Sequence, residues 1–145
     1  MLVPLPFSRR FPQSMPLPIY SEMCIYRSMN IVPENLFAAL GHEVRLRCLV
    51  LLLREGELCV CELTHALELA QPTVSRQLAQ LREVGWVEDH RQGLWVYYRV
   101  NTELPAWAQE ALATTAAGLS ATTPYVNDRQ RLAGMPNRPS PRGCS

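Results

Sequence analysis

QPTVSRQLAQLREVGWVEDHRQGLWVYYRV, residues 71–100, changes its hydrophobic period halfway along, and that change decides the fold. In its first half Val74, Leu78 and Leu81 recur at i, i+4 and i+7, which predicts a helix over residues 72–84 with Gly85 as its stop. Pro72 suits a first helical turn, whereas Ala70 stands where a Ser, Thr or Asp cap is preferred. In the second half, residues 86–90 and 94–100 are rich in aromatic and β-branched side chains and flank Arg91, Gln92 and Gly93, the expected tip of a hairpin.

Working upstream, Val60, Leu63 and Leu67 give a helical stripe that breaks at Ala70 and Gln71, so two short helices meet at a tight turn before the hairpin. The run EVRLRCLVLLLRE, residues 43–55, is too apolar for a surface helix and too short to cross a membrane, and reads as a core helix. Before it, Pro33 opens a helix whose stripe is Leu36, Phe37 and Leu40 and whose end is Gly41. Downstream, residues 104–119, with Trp107, Ala108, Ala111 and Leu112, form a last helix placed to cover a dimer seam. Residues 1–30 carry five prolines without helical or strand period, and residues 121–145 return to Pro, Ser, Arg and Gly; disorder is expected of both. The fold class is therefore mostly α with a small β-hairpin, a winged helix-turn-helix over residues 31–120.

A net charge of +1 does not by itself announce a nucleic-acid binder, so the distribution of charge carries the argument. Residues 71–100 hold Arg76, Arg82, Arg91 and Arg99 against Glu83, Glu88 and Asp89, while residues 31–70 set six Glu against Arg45, Arg47 and Arg54. In a winged helix-turn-helix the second helix of the pair enters the major groove. With Val74, Leu78 and Leu81 turned inward, Gln71, Thr73, Ser75, Arg76 and Gln77 are the candidates for base and phosphate contact there, and Arg91 for phosphate or minor groove at the wing.

Five cysteines at irregular spacing, with no secretory signal upstream, argue against a disulfide scaffold and place the chain in the cytoplasm, where thiols stay reduced. No uninterrupted apolar segment offers a membrane span. Cys59 and Cys61 stand in ELCVCEL at the start of the third helix. On a regular helix two residues separated by one do not face each other, so joint binding of a thiophilic centre is expected to require local unwinding. Cys48 and Arg54 match the Cys-x5-Arg spacing of phosphatases, but the five residues between them are apolar and contain no Gly, so they form a helix rather than an oxyanion loop. A Gly-rich nucleotide loop, a GxSxG elbow and a CxxC pair are all missing from the sequence, and no enzyme is expected.

The motifs ELCVCEL, QPTVSRQL, LREVGWV and RQGLWVYYR, together with LPAWAQEA at the opening of the last helix, resemble the ArsR/SmtB family of metalloregulators, in its arsenical-resistance repressor branch. The resemblance covers residues 36–107. It implies a homodimer of winged-helix protomers, with first and last helices at the dimer interface, that represses from operator DNA until arsenite, As(III), or antimonite binds Cys59 and Cys61. The best-known branch places a third cysteine three residues after the second, and Thr64 stands there in this chain. Hydroxide, a small thiol, Cys48, Cys24 or Cys144 remain as ways to complete the site, and His65 is a weaker one. A repressor of the same fold that answers to cadmium, lead or thiol oxidation is the alternative. Residues 104–119 contain no His, so the zinc site that the family builds on its last helix from His and carboxylate pairs is not expected here.

Overall fold

The computed structural model describes residues 31–139; residues 1–30, with Cys24, and 140–145, with Cys144, lie outside it. Two helices open the chain. In α1 (Pro33–Leu40) Pro33 occupies the first turn, Leu36 and Ala39 face inward, and the Gly41 N–H closes the last turn on the Ala38 carbonyl. In α2 (Glu43–Glu55) Cys48, Leu49, Val50, Leu51 and Leu52 are all buried, as befits a helix apolar on nearly every side. Gly56 ends it at φ +88°, a conformation that costs a glycine little.

The chain then runs through strand β1 (Glu57–Cys59) into α3 (Val60–Leu67), turns at Glu68 in the left-handed region, and enters α4 (Gln71–Val84). Ala70 gives α4 no side-chain cap, yet its carbonyl accepts the N–H groups of Thr73 and Val74, so the turn closes through backbone alone. Val74, Leu78 and Leu81 are buried as their spacing predicts. Gly85, at φ +98°, and the bond from Trp86 N–H to the Leu81 carbonyl end the helix in a left-handed cap. The Trp86 indole then reaches across the core to donate to the Leu36 carbonyl at 2.8 Å.

Strands β2 (Val87–Gln92) and β3 (Trp95–Val100) form the wing. Its tip is Gly93 and Leu94, one step beyond the sequence expectation, because Arg91 pairs with Val96 and Gln92 with Trp95 inside the ladder. The sheet also has a third strand that periodicity did not disclose: β1 pairs antiparallel with β3, in the order β1-β3-β2, with Cys59 opposite Tyr97.

After α5 (Ala106–Leu119) comes α6 (Tyr125–Ala133), which corrects the expectation of disorder from residue 121. The helix is polar by composition, but it buries Leu132 and Asp128, and Asp128 finds a cationic partner in Arg47 of α2. Long-range pairing, rather than local apolar pattern, orders it. Among the described residues no helix is long and apolar enough to cross a membrane.

Candidate DNA-reading surface and dithiol site

Helix α4 turns Gln71, Arg76, Gln80 and Arg82 to the surface and leaves Thr73, Ser75 and Gln77 half-buried. The four arginines of residues 71–100 divide by partner. Arg82 is paired with Asp89 at 3.2 Å and Arg99 with Glu88 at 2.6 Å, so their charges are compensated on the surface. Arg76 and Arg91 form no ion pair among the described residues and keep their guanidinium groups available to an anionic partner.

Gln77 is less free than its helical spacing suggests. Arg45, from the first turn of α2, donates through Nη1 to Gln77 Oε1 at 3.0 Å and to Gln80 Oε1 at 2.6 Å, and its Nε donates to the Ala39 carbonyl. Sequence reasoning missed Arg45, and no local signal pointed to it, since 32 residues separate it from Gln77. The wing carries Arg91 on β2 and ends in Leu94, which is 98% exposed.

Cys59 is the last residue of β1 and the N-cap of α3, with extended backbone (φ −82°, ψ 164°). Cys61 lies in the first helical turn, 5.4 Å away between Cα atoms, and the two sulfurs are joined as a disulfide. The expected unwinding of a helix is therefore unnecessary: the strand-to-helix junction itself breaks the helical spacing and brings the sulfurs together. Cys59 is buried, at 1% exposure, and Cys61 is half-buried.

Glu62 holds the junction. Three residues after the N-cap, it forms a capping box in which Oε2 accepts the Cys59 N–H at 2.8 Å. Its Oε1 accepts from Arg138 Nε at 2.7 Å, and the carboxylate has no solvent exposure. The capping-box spacing from Cys59 to Glu62 was present in the sequence, masked by a cysteine where Ser or Thr is usual.

Around this pair the other sequence candidates are not assembled. Cys48 is buried in the core, and desolvation pushes its thiol up to about 12, which keeps it protonated. His65 points to the exposed face of α3. The Thr64 hydroxyl is buried without a hydrogen-bond partner among the described residues. Among those residues, too, no three His, Cys, Asp or Glu side chains gather to hold a metal ion. Once reduced to thiols, the two adjacent sulfurs fit a thiophilic centre, and they do not make a complete cage for a hard or tetrahedral cation.

A tight helix pair, a second helix with an open polar face and a β-wing beside it define a winged helix-turn-helix regulator of transcription rather than an enzyme. The chain belongs to the arsR family of bacterial regulatory proteins, whose family model matches residues 42–89. It is 49% identical over 117 residues to the arsenic resistance transcriptional regulator ArsR1 of Pseudomonas putida, covering 79% of this chain and 89% of that one. It is 48% identical over 82 residues to the arsenical resistance operon repressor of Escherichia coli, covering 57% of this chain and 70% of that one. Among solved structures, the transcriptional repressor BigR from Xylella fastidiosa superposes with a TM-score of 0.50 at 34% identity, covering 71% of this chain and 95% of that one.

Proposed function

We propose that the chain is an arsenite-responsive transcriptional repressor that binds operator DNA as a dimer and leaves it when As(III), or antimonite, is taken up by Cys59 and Cys61. The observation that carries this reading is the contact of the two sulfurs at the junction where β1 passes into α3. Support comes also from the relatives named for arsenic resistance, each matched over most of its own length.

In this reading α4 lies in the major groove, with Gln71, Thr73, Ser75 and Arg76 toward bases and phosphates. Gln77 is set beside them by Arg45, and Arg91 meets the backbone or minor groove from the wing. Each reduced thiol displaces one hydroxide of arsenious acid, which departs with the thiol proton as water, leaving two S–As bonds and one hydroxide on arsenic. No third protein ligand is required.

The position of the pair supplies the coupling. Cys59 is at once the residue opposite Tyr97 in the wing ladder and the cap of the helix that leads into α4. A change of geometry at Cys59 therefore acts on both DNA-contacting elements, and ligand and operator oppose each other.

The test is operator binding by the reduced protein with and without arsenite, for wild type and for Cys59→Ser/Cys61→Ser. Wild type is expected to release the operator and the double variant to stay bound. Release of both, or of neither, refutes the sensor assignment. The bonded state of the sulfurs favours one rival, release by thiol oxidation. Peroxide in place of arsenite separates the two: an oxidation sensor releases DNA with peroxide alone and ignores arsenite.

A further inference from the structure

The chain beyond α5 comes back to the cysteine turn. Arg47 of α2 grips Asp128 of α6 with both arms of its guanidinium, Nε to Oδ2 at 2.8 Å and Nη2 to Oδ1 at 2.6 Å. From α6, Arg131 donates through Nε to the Ala66 carbonyl of α3 at 2.7 Å and through Nη2 to Asp128 at 2.7 Å. Past Gly134 the chain reaches Arg138, whose Nε donates to Glu62 Oε1 at 2.7 Å and whose Nη2 donates to Glu55 Oε2 at 3.1 Å. Glu62 in turn accepts the Cys59 N–H. The C-terminal segment is thus tied, through one buried carboxylate, to the backbone of the first cysteine.

We propose that α6 and residues 134–138 form a strap that fixes the dithiol turn, with Arg138 as a positioning residue for ligand capture at Cys59 and Cys61. The proposal rests on the reading of that pair as the sensor.

Its physical ground is the burial of Glu62. A carboxylate without solvent contact needs a charged or hydrogen-bonding partner for each oxygen, and Arg138 is the one cation on it among the described residues. Without that guanidinium the carboxylate must draw in water or swing outward. Either movement surrenders the Cys59 N–H and frees the strand-to-helix junction that holds the sulfurs together. Groups that orient ligating side chains without touching the ligand are worth about 10- to 100-fold in ligand affinity. Coupling is reciprocal, so ligand capture must also alter how the strap is docked.

The experiment uses the full-length reduced chain and arsenite as the probe. Arsenite affinity is measured by calorimetry, and operator affinity without arsenite by fluorescence anisotropy, for wild type, Arg138→Ala, Arg138→Lys and Cys59→Ser/Cys61→Ser. Arg138→Ala is expected to weaken arsenite binding about tenfold or more, with operator binding retained as the sign that the winged helix is folded. Arg138→Lys, which keeps a cation on Glu62, is expected to recover part of the loss. An Arg138→Ala chain that binds arsenite like wild type overturns the strap. Arsenite binding that survives in the cysteine double variant instead overturns the sensor reading, and the strap with it. Should Arg138→Ala fold poorly, amide hydrogen exchange on wild type decides: arsenite is expected to change protection at residues 135–139 together with residues 58–62, and a change confined to the latter overturns the proposal.

Discussion

At Cys48 the thiol sits in the core face of α2, and burial pushes it from its ordinary 9.0 up to about 12. The folded protein therefore holds this proton more tightly than the unfolded chain. Below about pH 9 both states are protonated and stability is indifferent to the group, whereas from about 9 toward about 12 the unfolded state ionises first and stability falls. Chemical denaturation across that range is expected to show a decline that is smaller in Cys48→Ala, the remainder belonging to Tyr98 and Tyr125, whose hydroxyls burial also pushes up. An equal decline in both chains assigns it elsewhere. Asp128 behaves differently, because its burial is compensated by Arg47. Asp128→Asn leaves the buried Arg47 guanidinium with only the exposed Glu43 carboxylate, at 3.3 Å, as counter-charge and is expected to cost about 3 kcal/mol in urea unfolding. A cost well under 1 kcal/mol shows that α6 contributes little to the fold. Neither partner was legible as such in the sequence, since 81 residues separate them and each alone reads as a surface charge.

Among the elements, those with a sustained apolar stripe were legible: α2, α3, α4 and the two wing strands follow from spacing, and Gly85 marks its helix end. Strand β1 was not, because three residues leave no room for a period and its pairing with β3 is a tertiary fact. That single omission altered the reading of the site, since Cys59 in a strand needs no unwound helix to meet Cys61. Helix α6 escaped for the opposite reason: a polar helix held by ion pairs has no hydrophobic signature. For α4 and the wing the structure sharpens which cations matter. Arg82 and Arg99 are neutralised by Asp89 and Glu88, while Arg76 and Arg91 have no such partner among the described residues. Arg91→Ala is expected to weaken binding evenly across DNA sequences and to lower the salt slope by about 1, as loss of one phosphate contact should. Arg82→Ala, measured alongside, is expected to leave the slope unchanged; the reverse order removes Arg91 from the interface.

For the whole molecule, an aromatic pair at the surface joins two helices. Phe37 of α1 and Trp107 of α5 stack with ring centroids 6.0 Å apart, yet they are 55% and 41% exposed. Large aromatic side chains held together at the surface are costly to hydrate and typical of buried contact regions between chains. They belong to the first helix and to the helix that the family resemblance places at the dimer seam, so they are proposed as its centre. Two protomers joined there present two copies of α4, and the second half-site is then bound at the high effective concentration that linkage provides, which adds up to about 10²- to 10⁴-fold in affinity. Trp107→Glu puts a charge into the seam without touching α4, the wing or the cysteine pair. Sedimentation is expected to show a dimer for wild type and a monomer for this variant. Affinity for a two-half-site operator should fall by about the linkage factor while affinity for an isolated half-site is kept. If Trp107→Glu remains a dimer, the seam lies elsewhere on the molecule. If it becomes a monomer and binds the full operator as tightly as wild type, a single winged helix suffices for recognition and the dimeric reading fails.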